Sequence, residues 1–259
     1  MSGSSPDGAG AGVGALLDDL AAEQRDLREQ LVAIDPDAWL RPTPARGWDV
    51  RDTIAHLADT DEMAIATATG RPGSINDRAG VSASGEDVTY QGVLYGRRRA
   101  GAEVLAWWES TAAAEHEMFR SIDPGVRVPW GIGMRPPSLV TARLMETWAH
   151  GLDVLAALGV EPRDTDRLAH VAWLATRALP YAYTVAGREP PADAIRVELT
   201  LPSGAKWNMG PDTAVNRITG PAGEYCRVFV HRLRPADATA LRAEGPAAID
   251  ALAVARAFL

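Results

Sequence analysis

The sequence predicts an α+β protein with an N-terminal four-helix bundle followed by a small C-terminal α+β domain. Apolar residues recur at helical spacing through the first half of the chain. Residues 195–201 (IRVELTL) instead alternate between polar and apolar side chains, as a half-buried strand does. The 259 residues suffice for one large or two medium domains. We therefore expect a disordered tail over 1–12, the bundle over 13–160 and the α+β domain over 161–259.

The first two helices of the bundle have clear boundaries. Leucine spacing predicts the first over 13–34, before Pro36 stops it. Asp49 is a predicted N-cap for the second helix, which continues to about Thr69. Asp52 lies three positions after Asp49, so the pair resembles a capping box with a shortened acid.

The other two helices of the bundle flank a second loop. Residues 70–87 are rich in Gly, Ser, Pro and Asp and are predicted to form a long loop. The third helix is expected over about 89–122, and the fourth over 138–158. Ser138 is the expected N-cap of the fourth helix, and Gly159 ends it.

The second half changes character after a linking helix over 163–183, which we expect to bend at Pro180. Three strands are predicted, with a hairpin turn at Ser203 and Gly204 between the first two. The predicted strands cover 195–201, 205–209 and 214–219, and the predicted helices that follow cover 222–232, 238–243 and 246–258.

Composition excludes several classes of protein. The formal net charge of −8 argues against a nucleic-acid partner, because phosphate binding needs a basic face. Cys226 is the single cysteine, which rules out an internal disulfide and suits a buried structural role in a reducing, cytoplasmic setting. No signal peptide, membrane helix or nucleotide-binding motif is evident. The arginines at 97–99 are expected on a solvated helix face.

Three residues form a candidate metal site. Glu146 and His150 are four positions apart, so a helix places both on one face, one turn apart, where they can chelate an ion. His56 lies among apolar residues of the second helix. Considered alone, Glu146 and His150 could be a surface pair, and His56 could be a histidine packed in the core. Together, on two helices of one bundle, the three residues favour a metal site.

The segments GWDVRDTIAHLADTDEMA and LMETWAHGLDVLAALG resemble the DinB-like metal-binding helical bundle superfamily. More narrowly they are similar to its actinobacterial branch of mycothiol-dependent maleylpyruvate isomerase-like proteins. Asp49 stands where that family commonly has Ser or Thr, which exchanges one N-cap for another. The resemblance implies that His56, Glu146 and His150 bind one divalent metal, most often Zn²⁺.

The resemblance also implies an activity. Three protein ligands leave an open coordination position, which is typical of catalytic zinc. We expect a metal-dependent, mycothiol-type thiol S-transferase or isomerase that acts on a small electrophilic substrate, as a monomer or homodimer. Two alternatives stay open: a metalloenzyme that uses metal-bound water or substrate in a biosynthetic pathway, and a non-catalytic metal- or small-molecule-binding module.

Supporting residues follow from position. Asp52 and Asp153 are candidates to orient His56 and His150, or they face solvent. The candidate catalytic residues that would bind an anionic substrate are Arg217, Arg227 and Arg232. Side chains that either line a pocket or pack in the core are Trp130, Trp148 and Tyr225. Histidines that we expect not to bind metal are His116, His170 and His231.

Overall fold

The computed structural model describes residues 13–79, 85–131 and 133–257. These residues fall into two compact units, a first unit that ends at Pro162 and a second unit that begins at Arg163. The tail predicted over 1–12 lies outside the described residues. The α+β fold class is confirmed, because the first unit is helical and the second contains a sheet flanked by helices.

Four long helices dominate the first unit. The helices of this unit are α1 (Val13–Leu31), α2 (Val50–Thr69), α3 (Ile75–Ala79), α4 (Gly85–Gly96), α5 (Gly101–Ser121) and α6 (Pro136–Leu158). A 3₁₀ helix, Pro36–Leu40, follows the first helix. Helix α1 packs against α6 and α5, while α2 packs against α5, α6 and the shorter α4.

The capping box at the start of α2 is confirmed. The Asp49 carboxylate accepts a hydrogen bond from the Asp52 backbone N–H at 2.7 Å, and the Asp52 carboxylate accepts one from the Asp49 N–H at 3.3 Å. Two backbone donors without helical partners are thereby satisfied. The helix that carries His56 therefore begins at a fixed point of the chain.

The third predicted helix is instead two helices, α4 and α5, with a turn over 97–100 between them. Ala100 adopts an extended backbone, and its N–H donates to the Glu103 carboxylate at 2.7 Å. A Cβ added at Gly101 would lie 2.1 Å from the Trp39 ring, so α5 begins in direct contact with that indole. Residues 97–100 therefore separate two helices where one continuous helix was predicted.

Two smaller differences concern helix boundaries. Helix α6 begins at Pro136 rather than after Ser138, because prolines suit a first turn, where backbone N–H groups have no helical partner. The predicted loop 70–87 contains the short helix α3, although residues 80–84 lie outside the described part of the chain. Gly159 ends α6 in the left-handed conformation, as expected.

The second unit is a four-stranded sheet with helices. Its elements are α7 (Leu168–Arg177), α8 (Leu179–Val185), β1 (Ile195–Thr200), β2 (Lys206–Met209), β3 (Asn216–Pro221), α9 (Ala222–Phe229), β4 (Arg242–Glu244) and α10 (Pro246–Ala253). A 3₁₀ helix, Pro235–Asp237, precedes the last strand. The strands follow the order β2-β1-β3-β4, in which β1 and β3 are parallel and the outer pairs are antiparallel.

Two predictions for the second unit are corrected. Residues 238–243 were expected to be helical, but residues 242–244 form β4. They pair with β3, and Ala243 lies opposite Ile218. The linking helix breaks at Ala178, ahead of Pro180, which lies in the first turn of α8. Cys226 is fully buried, as expected of a structural cysteine, and burial raises the pKa of its thiol.

Among the described residues, no helix has both the length and the apolar composition needed to cross a membrane.

Replacing the N-cap of α2 tests the capping box. Asp49→Ala removes the acceptor for the Asp52 N–H and is expected to lower the free energy of unfolding by about 1 kcal/mol, measured by urea denaturation. Asp49→Ser keeps a capping oxygen and should stay near wild type. Equal stability of the Ala and Ser variants would contradict a role for the cap.

Candidate metal centre

The structure brings the three predicted ligand side chains together. His56 comes from α2, and Glu146 and His150 come from adjacent turns of α6. His56 Nε2 lies 3.7 Å from Glu146 Oε2, and His150 Nε2 lies 3.4 Å from the same oxygen. One potential ligand atom from each residue falls within 4.8 Å of the others. The helical spacing places Glu146 and His150 on one face of α6, and the packing of α2 against α6 brings His56 to that face.

These separations fit residues that share an ion better than residues that hydrogen-bond to each other. An N–H···O hydrogen bond spans about 2.7–3.2 Å between heavy atoms, and both nitrogen–oxygen distances exceed that. Two ligand atoms about 2.0–2.2 Å from a tetrahedral zinc are about 3.4 Å apart. The residues present therefore suit a divalent metal in both ligand type and spacing.

The site is buried on one side and open on the other. The His56 side chain is 8% exposed, whereas the Glu146 side chain is 24% exposed. Trp48, just before α2, packs its indole near both imidazoles, with ring centroids 4.9 Å from His56 and 5.9 Å from His150. The exposed fraction of Glu146 leaves an approach for a ligand from outside.

Electrostatics hold Glu146 ionised. Burial by itself raises the pKa of the Glu146 carboxyl, but contacts with His150 and His56 outweigh burial and hold this pKa well below its usual range. Burial also lowers the pKa of His56, which favours the neutral imidazole that a metal requires. Glu146 therefore offers a carboxylate, and His56 a neutral imidazole, near neutral pH.

Asp153 orients His150. Its carboxylate, 1% exposed, lies 3.2 Å from His150 Nδ1. In the tautomer whose Nδ1–H donates to Asp153, the Nε2 atom of His150 faces Glu146 and is left for a metal, the arrangement found for metal-binding histidines. Burial lowers the pKa of His150, but Asp153 and Glu146 outweigh it and raise this pKa.

Asp52, the other candidate to orient an imidazole, has a different partner. Its carboxylate receives Arg97 Nε at 3.0 Å and Arg97 Nη2 at 2.7 Å. Arg97 is thus anchored by a two-pronged ion pair in the turn after α4, rather than on a freely solvated helix face.

A buried charge cluster beside the site escaped the sequence analysis. Arg143, one turn before Glu146 on α6, is 2% exposed and pairs with Asp61 at 2.6 Å and with Glu115 at 3.3 Å. Glu115 is fully buried, although its flanking sequence is polar. The signal that could have found Arg143 is its helical spacing from Glu146, which puts both on one side of α6.

The three candidate catalytic arginines lie in the second unit and make contacts there. Arg217 pairs with Glu198 at 3.1 Å. Arg227 makes two hydrogen bonds to Asp164, at 2.6 and 2.9 Å. Arg232 donates to the Val230 carbonyl oxygen at 2.7 Å. Their role in anion binding stays a prediction.

The remaining histidines and aromatic residues have their own surroundings. His116 Nε2 lies 2.8 Å from the buried Gln24 amide oxygen, and His231 Nε2 lies 2.7 Å from the Ala255 carbonyl oxygen. Trp148 and Tyr225 are buried, and Tyr225 packs on Phe229. Both side chains are thus buried, and the Trp48 indole lies beside the imidazoles of His56 and His150.

Comparison with known proteins gives three findings. Residues 20–155 match the family described as the mycothiol maleylpyruvate isomerase N-terminal domain. An uncharacterised protein of Mycobacterium tuberculosis, found in strains CDC 1551/Oshkosh and ATCC 25618/H37Rv, is 37% identical over 246 residues, 95% of each chain. The crystal structures of mycothiol-dependent maleylpyruvate isomerase and of a point mutant each match with a TM-score of 0.58 and 16% identity, covering 91% of this chain and 95% of theirs. At that identity the structural match establishes a shared fold.

The buried cluster predicts a pH-dependent stability. Burial and the nearby Asp61 raise the pKa of the Glu115 carboxyl well above its value of 4.5 in an unfolded chain. Folding therefore takes up a proton, and the free energy of unfolding falls as pH rises above 4.5, by at most about 1.4 kcal/mol per pH unit. Glu115→Gln, which mimics the protonated acid, should lose less stability than wild type between about pH 5 and 7 in urea denaturation.

Glu117→Gln supplies the control, since Glu117 is exposed on the same helix. Its stability should follow the wild-type pH dependence. A Glu115→Gln profile parallel to wild type would show that Glu115 is ionised in the folded protein.

Proposed function

Because the chain belongs to the mycothiol maleylpyruvate isomerase N-terminal domain family, we propose that it is a metal-dependent enzyme that uses a mycothiol-type thiol. The proposed reaction is isomerisation of a small electrophilic substrate, or its conjugation to the thiol. The convergence of His56, Glu146 and His150 at a partly open position carries this proposal. Three protein ligands suit a catalytic rather than a structural metal, which normally has four.

The metal is proposed to be Zn²⁺, held by the two imidazole Nε2 atoms and a Glu146 oxygen. Zinc bound there would lower the pKa of a thiol at its open position, so that a nucleophilic thiolate is available near neutral pH. Nitrogen and oxygen donors are common zinc ligands, and their spacing in the site suits its bond lengths.

The chemistry of the thiol accounts for both proposed outcomes. The sulfur electron pair forms a C–S bond to the β-carbon of a double bond conjugated with a carbonyl group. The C=C pair then shifts toward the carbonyl carbon, and the C=O pair moves onto the oxygen. Rotation about the former double bond, now single, followed by return of these pairs and expulsion of the thiolate gives the cis–trans isomer. Protonation of the adduct instead gives the S-conjugate.

The chain's own residues prepare this site. Asp153 accepts the His150 Nδ1–H and so fixes which ring nitrogen faces the site. The Trp48 indole lies against both imidazoles and keeps water from that side of the rings. The site therefore presents its ligands already oriented, which reduces the rearrangement that binding requires.

A carboxylate on the substrate would need a cationic partner. We propose Arg217, Arg227 and Arg232 for this role, since guanidinium groups bind carboxylates through paired hydrogen bonds. Arg227 already makes such a pair with Asp164, and Arg217 shares Glu198 with Arg196. A substrate that binds Arg217 or Arg227 would therefore have to compete with a carboxylate of the protein.

Metal content is the first test of the proposal. Wild-type protein purified without chelator should contain about one divalent ion per chain by elemental mass spectrometry, and His150→Ala should lose it. His116→Ala is the matched control, since His116 lies in the same unit and its Nε2 is 2.8 Å from the Gln24 amide oxygen. Full metal occupancy in His150→Ala would refute the assignment of the ligands.

Thiol dependence is the second test. In protein reconstituted with Co²⁺, adding mycothiol should change the visible absorption spectrum, because a sulfur ligand alters the ligand field. S-methyl mycothiol, which has no free thiol, should leave the spectrum unchanged. A spectrum that does not respond to saturating mycothiol would rule out the thiol mechanism and favour a thiol-independent metalloenzyme.

A further inference from the structure

The two helices that carry the metal ligands are joined at two levels. At the first level, His56 of α2 meets Glu146 and His150 of α6. At the second, Asp61 of α2 pairs with Arg143 of α6. Because Asp61 follows His56 while Arg143 precedes Glu146, the two helices run antiparallel and the two levels are about one helical turn, 5.4 Å, apart.

Arg143 makes most of the polar contacts at the second level. Its Nη2 donates to Asp61 Oδ1 at 2.6 Å and to Thr60 Oγ1 at 2.9 Å. Its Nε also donates to Asp61 Oδ1, at 3.1 Å, and faces Glu115 of α5 at 3.3 Å. One buried guanidinium thus contacts residues of both α2 and α5, in a position that helix packing alone would leave to apolar side chains.

Thr60 connects this cluster to a metal ligand. Its hydroxyl accepts from Arg143 and donates to the backbone carbonyl oxygen of His56 at 2.8 Å, with Leu57 O at 3.1 Å as a second acceptor. A continuous chain of hydrogen bonds therefore runs from the guanidinium on α6 to the backbone of His56 on α2. The same α6 helix carries the other two ligands within seven residues of Arg143.

We propose that Arg143, acting through Thr60, positions His56 against Glu146 and His150 and so sets the geometry of the metal centre. The inference rests on the proposed function, because it assumes that these three residues bind a metal. Arg143 and Thr60 are positioning residues: their described contacts are with protein atoms.

Positioning explains the cluster better than stability does. A buried ion pair gains little over apolar side chains of similar volume, since desolvation offsets the attraction between the charges. Asp61 Oδ2 and both oxygens of Glu115 also have no hydrogen-bond partner. The ion pair instead fixes the register of α6 on α2, because the planar guanidinium donates its hydrogen bonds only in fixed directions.

Thr60→Val tests the proposal without disturbing the ion pair. It keeps the shape of the side chain and removes only the hydroxyl that links Arg143 to His56. Thr60→Ser retains the hydroxyl and serves as the conservative rescue. Thr141→Val is the matched control, since Thr141 is a buried threonine of α6 whose hydroxyl bonds to the Pro137 backbone oxygen at 2.9 Å.

The measurements are Zn²⁺ affinity by competition with a chromophoric chelator, the visible spectrum of the Co²⁺ form, and the Tm of the metal-free protein. We expect Thr60→Val to bind Zn²⁺ roughly tenfold more weakly or worse and to change the Co²⁺ spectrum. Thr60→Ser and Thr141→Val should match wild type in affinity and spectrum. A lower Tm shared by both valine variants would reflect packing, whereas reduced affinity in Thr60→Val alone reflects positioning.

The possible failures are distinguishable. Wild-type affinity and spectrum in Thr60→Val would overturn the positioning role while leaving the metal site intact. A wild-type protein that binds neither Zn²⁺ nor Co²⁺ would overturn the proposed function itself. Arg143→Lys adds a second check, because it keeps the positive charge but loses the planar group that donates to Asp61 and Thr60 together. Wild-type Zn²⁺ affinity in that variant would also contradict the proposal.

Discussion

Charged groups buried between α2 and α6 need partners, because an isolated charge in an apolar interior is strongly unfavourable. Two sets of such groups occupy this interface: the cluster of His56, Glu146 and His150, and the cluster around Arg143. Each set is stable only if the helices keep one register. The apolar surface drives the helices together without specifying that register, so the polar groups select it.

The same interior gives two glutamates opposite character. Glu146 is held ionised, since two imidazoles outweigh its burial and keep its pKa low. Burial and the nearby Asp61 both oppose ionisation of Glu115. Because the single Arg143 guanidinium does not compensate both carboxyls, the pKa of Glu115 is raised. Helix position alone does not distinguish these two residues. Their neighbours make the difference: the imidazoles of His56 and His150 favour the ionised form of Glu146, whereas burial beside Asp61 favours the protonated form of Glu115.

Fold and chemistry are supported by different observations. The match to maleylpyruvate isomerase, at 16% identity, shows that the backbone arrangement is shared. Backbone arrangement does not determine a reaction, because one fold can hold many unrelated sites. Metal chemistry is supported by the trio itself, because the separation of His150 Nε2 and Glu146 Oε2 is close to that of two ligand atoms on one zinc ion, and because Asp153 contacts His150 from behind. The thiol and the substrate are proposed from family membership together with the open side of this trio.

Features that depend on local spacing could be predicted from the sequence. The helical periodicity of α1, the capping box at Asp49 and Asp52, the end of α6 at Gly159 and the pairing of Glu146 with His150 all involve residues a few positions apart. His56 was a candidate from its apolar setting on the second helix, and the family resemblance supported it as a ligand. The tertiary structure alone decided that Asp52 binds Arg97, that α5 starts against Trp39, that residues 242–244 pair as β4 and that Arg143 joins α6 to α2 and α5. These contacts join residues far apart in the chain, and composition and periodicity carry no information about which distant side chain will be the partner.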